Sequence, residues 1–332
     1  MGRPANGLSR RHALAMGGAA MAAPLAAPGV ASGQGRFPER PIRFIIPWPP
    51  GGSSDSQLRS LGEQAGRLLG QPVVIENRGG AGGTLHAVYL AREARPDGYT
   101  IGQMHLSVIR RPFLVRTPQW DATTDFTHII GLTGWLFGAA VRADSPFRTW
   151  QDMIAFARQN PGAVSYATSG IATTNHLAME DICARERVEM THVPFRGASE
   201  GIPAVLSGNV TMIADSSTWA PAVDGGQMRC LSVWSAERAP RFPTVPTLRE
   251  LGYDIVVTSN YGISGPPRMD PGVVRVLHDA FKTALMSEEN TRVRTQFDMP
   301  LVYLNTQEYK DFVAQRAVWE RDMVTRLGIR ME

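Results

Sequence analysis

The chain has 332 residues, 43% of them hydrophobic and 19% charged, which is typical of a globular protein with room for two domains of roughly 100–200 residues each. Its formal charge is +4, but three arginines and no acid lie in the first 35 residues, so the remainder carries +1. Because the chain has no basic stripe interleaved with aromatic residues, we do not expect a nucleic acid partner.

The first 31 residues have the pattern of an export signal. Arg10 and Arg11 form a twin-arginine-like pair, an Ala- and Gly-rich run follows, and small residues precede a cleavage site after Ala31. The alternative is an uncleaved anchor, but two prolines break the run and it is weakly apolar for the ~20 residues that span a bilayer. Ala13 stands where the twin-arginine pattern prefers an aromatic residue, so the Tat and Sec routes both stay open.

The stretch from Ile42 to Leu61 predicts a strand, a glycine-rich turn and a helix start, in that order. Serines and an aspartate offer helix N-caps directly after the turn. The first turn of a helix has unpaired N–H groups and a partial positive charge, and glycines let a ligand approach the backbone. We therefore expect an anionic group of a small molecule to bind here. The candidate residues are Trp48, Pro50, Gly51, Gly52, Ser53, Ser54 and Asp55, although Trp48 could also be a core residue.

Strands predicted at 71–77 and 99–104, with a helix before each, indicate an α/β fold with a mainly parallel sheet flanked by helices. Such sheets bind ligands beyond the carboxyl ends of their strands. An apolar, strand-like run at 128–141 is interpreted as a crossing into a second lobe, and 261–267 as the return crossing. The rest of the chain is predicted to form three helices, at 271–285, 289–297 and 306–327.

A second turn of small residues, 169–174, lies between a predicted strand at 164–168 and a helix. Two such helix starts, one in each lobe, could hold one ligand between them. A later strand ends at Asp215, which is a candidate for binding a ligand hydroxyl or amine, with a helix cap as the alternative. The candidates in this lobe are Ser169, Gly170, Thr173, Thr174, His176, Asp215 and Ser216, with a structural role as the alternative for His176.

Motifs for other chemistries are weak or absent. The glycines at 79–83 do not match GxGxxG, and there is no GxxxxGK[ST]. The histidines form no HxxxH or HExxH pair and the cysteines no CxxC, so we expect no metal and no cofactor. Whether Cys183 and Cys230 form a disulfide is open from their positions alone.

A serine hydrolase is the main alternative function. Gly197–Gly201 matches GxSxG between a predicted strand and a helix, which makes Ser199 a candidate nucleophile in an exported enzyme. Asp215 or Asp254, with His278, would have to complete the triad. His278 lies in an amphipathic helix and not in a loop, so the partners are poorly placed.

Several motifs resemble those of the Bug/TctC family, periplasmic solute receptors of tripartite tricarboxylate transporters. The likeness runs in order from about Phe37 to the C-terminus. It is carried by Ile45–Asp55, Gly70–Arg78, Gly80–Gly83, Pro96–Thr100, Tyr166–Gly170 with His176–Ala178, His192–Gly197 and Pro243–Thr247.

The resemblance implies a two-lobed, Venus-flytrap fold, with residues 37–135 and 262–332 in lobe 1 and 136–261 in lobe 2. It also implies a monomeric, non-enzymatic periplasmic receptor that delivers a carboxylate to a membrane permease or a sensor. In the family the two small-residue turns bind the carboxylate through main-chain N–H groups, hydroxyls and ordered water. The chain departs from the family pattern at Trp48, usually Phe, and at Pro50, often Ala or Gly. At Asp215-Ser216-Ser217 the family usually has Asp-Asn or Asp-Ser with a proline nearby. The resemblance therefore does not name the ligand.

Overall fold

The structure is a computed structural model that describes residues 1–2, 37–328 and 330–331. The expected signal and its cleavage site fall, except for the first two residues, outside this range. Within the described ranges, no helix combines the length and the apolar character that a bilayer crossing needs. Contacts divide the chain at residue 35, and all the elements below belong to residues 36–332.

The strands of the described part are numbered in chain order. They are β1 (Ile42–Ile46), β2 (Val73–Asn77), β3 (Thr100–His105), β4 (Thr127–Gly134), β5 (Phe137–Arg142), β6 (Ser165–Thr168), β7 (Thr191–Pro194), β8 (Met212–Ser216), β9 (Met228–Val233), β10 (Asn260–Gly265) and β11 (Leu301–Leu304).

The helices are α1 (Ser53–Leu69), α2 (Leu85–Arg92), α3 (Leu106–Leu114), α4 (Trp150–Gln159), α5 (Thr174–Glu186), α6 (Ala198–Leu206), α7 (Ala220–Asp224), α8 (Pro271–Leu285), α9 (Glu288–Gln296) and α10 (Thr306–Leu327). The local sequence explains where several of these helices begin. Thr149 and Asp152 form a capping box at α4, as do Asn305 and Glu308 at α10.

The strands form two sheets. The first has the order β11-β4-β10-β3-β1-β2, and the second has the order β7-β6-β8-β5-β9. In the first sheet β1 pairs in parallel with β2 and β3, while β10 is antiparallel to β3 and β4. In the second, β6 is parallel to β7 and β8, while β5 is antiparallel to β8 and β9. The α/β fold with two helix-flanked sheets is confirmed, but each sheet is mixed and not mainly parallel.

The antiparallel pairs arise where the chain passes between the sheets. The apolar run at 128–141 is not one strand but two, β4 in the first sheet and β5 in the second, separated by Trp135 and Leu136. The chain returns from β9 to β10. The two passages touch, because Trp135 N donates to Ser259 O at 3.3 Å and the Trp135 and Tyr261 rings lie 4.5 Å apart.

The inner strands are continuous apolar runs because most of their residues are buried. In β1, which has neighbours on both sides, four of the five residues are fully buried: Ile42, Phe44, Ile45 and Ile46. Two elements differ from expectation. Helix α3 was not predicted, and neither was β11, which lies between the second and third helices predicted after Pro271.

Candidate functional site

A cavity lies where the starts of α1 and α5 meet the end of β8. The space inside it that is open to the centre of a water molecule is about 40 Å³, room for roughly three waters at about 10–15 Å³ each. A larger guest therefore needs the walls to move apart. The lining residues are Trp48, Pro49, Gly52, Ser53, Ser54, His105, Ser107, Trp135, Phe137, Ser169, Thr173, Thr174, Asn175, Gly197, Ala198, Ser199, Asp215, Ser216, Thr218 and Ser259.

Most of the candidates chosen from the sequence line this one cavity, although they come from turns more than 100 residues apart. These are Trp48, Gly52, Ser53, Ser54, Ser169, Thr173, Thr174, Asp215 and Ser216. Five others do not line it: Pro50 and Gly51 are exposed, Asp55 and Gly170 are buried, and His176 is half-buried.

Asp55 organises the first turn instead of facing the cavity. Its Oδ2 accepts from the Gly51 N–H and from Arg59 Nε, both at 3.0 Å, and its Oδ1 accepts from Asn77 Nδ2 at 2.7 Å. Gly51 has a φ of +85°, a conformation that favours glycine. The buried carboxylate therefore fixes the geometry of the turn that precedes α1.

His176 has the same kind of role in the second turn. Its Nδ1 accepts from the Ala172 N–H at 3.0 Å, and its ring stacks on His192 with centroids 3.9 Å apart. Burial lowers its pKa, which keeps the ring neutral and able to accept that hydrogen bond. Gly170 closes the turn with a φ of +126°.

Both helix starts at the cavity lack a side-chain cap. Neither Gly52, the N-cap of α1, nor Thr173, the N-cap of α5, accepts a hydrogen bond from its helix through a side chain. The Ser53 N–H instead donates across the cavity to Thr218 Oγ1 at 3.0 Å. First-turn N–H groups from two long helices thus border one small space, and both helix dipoles favour negative charge there.

An aromatic wall, defined by Trp48, His105, Trp135 and Phe137, covers another side of the cavity. The rings of Trp48 and His105 lie 5.0 Å apart and those of Trp48 and Trp135 6.0 Å apart. Trp48 Nε1 is buried and has no hydrogen-bond partner within the described part of the chain. This indole N–H is therefore a buried donor whose hydrogen bond is left unmade, on a residue that lines the cavity.

His105 does not bring a positive charge to the cavity. Its Nε2 is 3.0 Å from Gly83 O, and its Nδ1 accepts from Ser107 N at 3.3 Å, so both nitrogens are used by the neutral ring. Burial and the nearby His86 lower its pKa to about 3. The sequence analysis did not select His105, Trp135 and Phe137 as site residues. A single histidine at the end of a strand, and aromatic residues within an apolar run, do not indicate a binding site.

Asp215 is the one carboxylate among the cavity-lining residues that the structure describes, and no Lys or Arg accompanies it there. Its Oδ2 accepts from Ser169 Oγ at 2.6 Å and Asn175 Nδ2 at 3.0 Å, and its Oδ1 accepts from its neighbour Ser216 N at 2.6 Å. Burial raises the pKa of Asp215 to about 6 in spite of these donors.

The residues proposed for a hydrolase do not assemble. Ser199 lies at the start of α6 and lines the cavity, but the ring nitrogens of His278 bond to Asp279 and Tyr303. The side chain of Asp254 is 94% exposed. Without a base beside Ser199, the GxSxG match is only the turn that begins α6.

Among the residues described, no group of three or more His, Cys, Asp or Glu is arranged to bind a metal ion. Cys183 is half-buried and Cys230 buried, and both are free thiols. Burial raises the pKa of both, so neither has the thiolate character of a reactive cysteine.

Comparison with known proteins identifies the family. The family model of the tripartite tricarboxylate transporter family receptor matches residues 58–329. A UPF0065 protein in the gbd 5' region of Cupriavidus necator is 42% identical over 325 residues, which cover 97% of this chain and 99% of that protein.

Two solved structures share the fold closely. The periplasmic binding protein BugD superposes with a TM-score of 0.84 at 27% identity, covering 89% of this chain and all of BugD. The R. palustris protein Rpa4515, solved with adipate, has a TM-score of 0.82 at 26% identity and covers 89% of this chain and 99% of its own. The resemblance to the Bug/TctC proteins is confirmed, and the chain belongs to the tripartite tricarboxylate transporter receptor family, a family of solute-binding receptors and not of enzymes.

Proposed function

We propose that this chain is an exported receptor that captures a small carboxylate in the cavity and presents it to a membrane permease or a sensor. The observation that carries the proposal is the meeting of two helix starts, those of α1 and α5, at one cavity without side-chain caps. Rpa4515, a structural neighbour at 26% identity, holds adipate, which is a dicarboxylate.

The carboxylate is held by main-chain N–H groups of the two first turns. Each N–H donates to an anionic oxygen, and the dipoles of the two helices add an attraction that needs no formal positive charge. The indole N–H of Trp48 and the hydroxyl groups of Ser54 and Thr174 are further donors on the cavity wall. This explains how an anion site can lack lysine and arginine.

Closure joins two lobes, residues 37–135 with 262–332 and residues 136–261, which hinge at the two passages between the sheets. The division is supported by the sheets, since β5 to β9 all belong to the second one. Hydrogen bonds between the two lobes favour the closed form: Ser53 N to Thr218 Oγ1 at the cavity and Arg110 Nη1 to Ala172 O outside it, both at 3.0 Å.

The location follows from the leader. Its twin-arginine-like pair and the small residues before Ala31 support export to the periplasm with cleavage near Ala31. The resemblance to the family, and not the leader, is the basis for expecting a monomeric mature chain. The periplasmic structural neighbours agree with that location.

A thermal-shift screen with mono-, di- and tricarboxylates, each paired with its amide, tests the binding function. We expect one acid to raise the Tm by several degrees at 100 times its Kd, where binding adds about 2.7 kcal/mol to the free energy of unfolding. The amide should have little effect.

Two variants complete the screen. Ser199→Ala should still show a thermal shift with the acid, because the starts of α1 and α5 hold the carboxylate. Esterase activity that disappears in Ser199→Ala would establish a hydrolase instead. Trp48→Phe keeps the aromatic wall but removes the indole N–H, so affinity should fall about tenfold, the worth of one hydrogen bond to a charged group. Trp319→Phe, an exposed tryptophan on α10, is the matched control and should bind normally.

A further inference from the structure

The aromatic wall leaves little room beyond the helix starts. The space open to the centre of a water molecule is about 40 Å³, whereas a protein cavity that binds benzene measures about 150 Å³. Room for about three waters, at ~30 Å³ of liquid each, suits an acid with fewer than about five carbons. A longer carbon chain fits only if part of the wall withdraws or the lobes separate.

Trp48 is held in place by its neighbours. A Cβ on Gly83 would lie 2.6 Å from its ring, so the ring already packs directly against that backbone. The rings of His105 and Trp135 lie beside it, with centroids 5.0 and 6.0 Å away. His105 is fixed as well, because its two nitrogens bond to Gly83 O and Ser107 N.

Trp135 is supported from the protein core. Its ring lies 4.5 Å from that of Tyr261, whose hydroxyl donates to Gln57 Oε1 at 3.1 Å. Tyr261 is 1% exposed, and it belongs to the same buried hydrophobic cluster as Trp48, Trp135 and Phe137. In a close-packed core, a side chain withdraws only if its neighbours move with it. The wall therefore stays in place while a ligand binds.

A long acid would have to hold the lobes apart instead. Separation breaks the contacts between them, among which are the bonds from Ser53 N to Thr218 Oγ1 and from Arg110 Nη1 to Ala172 O. The second bond has a charged donor, and one such bond is worth about tenfold or more in affinity. A short acid leaves the lobes closed, so a longer chain is penalised through the loss of closure.

We propose that the aromatic wall makes this receptor selective for short carboxylates, those with a chain of about four carbons or fewer. The carboxylate binds at the helix starts, and the indole of Trp48 meets the end of the carbon chain. The inference rests on the proposed carboxylate-binding function and adds the size of the ligand to it. It separates this chain from Rpa4515, whose structure contains adipate, a six-carbon acid.

Two ligand series of increasing length test the limit. One runs from acetate through propanoate and butanoate to hexanoate, and the other from malonate through succinate to adipate. In an open apolar groove, each added methylene would raise the affinity about fourfold. Calorimetric titration should give the opposite trend. In a series that binds, the tightest member has four carbons or fewer, and the six-carbon member binds at least tenfold more weakly.

Trp48→Leu is the decisive variant, because it makes the wall smaller and keeps it apolar. The measured quantity is the affinity for the six-carbon acid divided by that for the short acid, a ratio from which a general loss of binding cancels. This ratio should rise tenfold or more in Trp48→Leu. Trp319→Leu makes the same change at an exposed position on α10 and should leave the ratio unchanged.

The outcomes separate the inference from the function on which it rests. If no carboxylate binds the wild-type protein, the receptor itself is refuted. If a six-carbon acid binds as tightly as its shorter homologues, or if only acids longer than four carbons bind, the length limit is refuted and the receptor stands. These wild-type measurements decide the matter even if Trp48→Leu does not fold. A ratio that Trp48→Leu leaves unchanged overturns the role of Trp48.

Discussion

A buried ion pair ties the second helix start to the C-terminal helix and gives a quantitative test of the structure. Glu320 of α10 receives Arg110 Nε at 2.6 Å and Nη2 at 3.2 Å, a bidentate arrangement. Arg110 also donates to Ala172 O at 3.0 Å and to Thr174 Oγ1 at 3.3 Å, on the turn that borders the cavity. Its side chain is 2% exposed and that of Glu320 is fully buried.

Glu320→Gln should lower the free energy of unfolding by about 3–5 kcal/mol, because it leaves the guanidinium of Arg110 buried without a counter-charge. Glu63→Gln is the matched control. Glu63 also pairs with an arginine, Arg67, but both side chains are 64% exposed, so its loss should cost less than about 1 kcal/mol. Urea denaturation followed by circular dichroism measures both values.

A combined variant tests the reason for the cost. Arg110→Met with Glu320→Leu should lose less stability than Glu320→Gln alone, because no fully buried charge is then left without a partner. Arg316, which also bonds Glu320 Oε1 at 3.1 Å, keeps its charge, but its side chain is 22% exposed. The combined variant should still weaken ligand binding, because the bonds to Ala172 and Thr174 are lost. The reasoning fails if Glu320→Gln and Glu63→Gln cost the same within about 1 kcal/mol.

Two further predictions concern the cavity wall and its histidines. Gly83 has a φ of +80°, and a Cβ there would lie 2.6 Å from the ring of Trp48, so Gly83→Ala should weaken acid binding about tenfold or more by calorimetry. Gly226→Ala, at a φ of +68° with nothing within 4 Å, has similar backbone strain of about 1–2 kcal/mol and should bind normally; equal affinities of the two would contradict this role of Gly83. Burial lowers the pKa of His86 to about 4 and that of His105 to about 3, so each stabilises the fold above pH 6.5 and loses that contribution as the pH falls toward those values. Urea denaturation should therefore show a lower free energy of unfolding at pH 5 than at pH 7.5, by about 2 kcal/mol for each histidine, and a higher one at pH 5 would refute it.

The two turns at the cavity could be predicted from the sequence because their signals are local. Prolines and glycines end the strand before α1, and serines mark the helix start within the next few residues. Trp135 and Phe137 could not be assigned to the site. The crossing between lobes could be inferred from the apolar run at 128–141, but the run does not show where β4 ends and β5 begins or which of its side chains line a cavity. Helix α3 could not be predicted because its start and its interior are both unusual for a helix. It begins directly at the end of β3 with His105 as its N-cap, and it contains Pro112.

The roles of Asp55 and His176 depended on distances that a sequence does not contain. Aspartate and histidine are both common in ligand sites, and Asp55 and His176 each lie within a few residues of the cavity lining. Their hydrogen bonds to Gly51 N and Ala172 N turn them toward the backbone instead. Which group forms a hydrogen bond with a polar side chain depends on the folded structure and cannot be read from the sequence.

Main-chain N–H groups at two helix starts are the centre of the proposed binding site, and amide chemical shifts report on them individually. A titration of ¹⁵N-labelled protein with the acid that gives the largest thermal shift should move the Ser54, Thr174 and Asn175 amide resonances together, with one saturation curve. Saturable binding that leaves these three amides unmoved, while resonances elsewhere shift, would contradict the account.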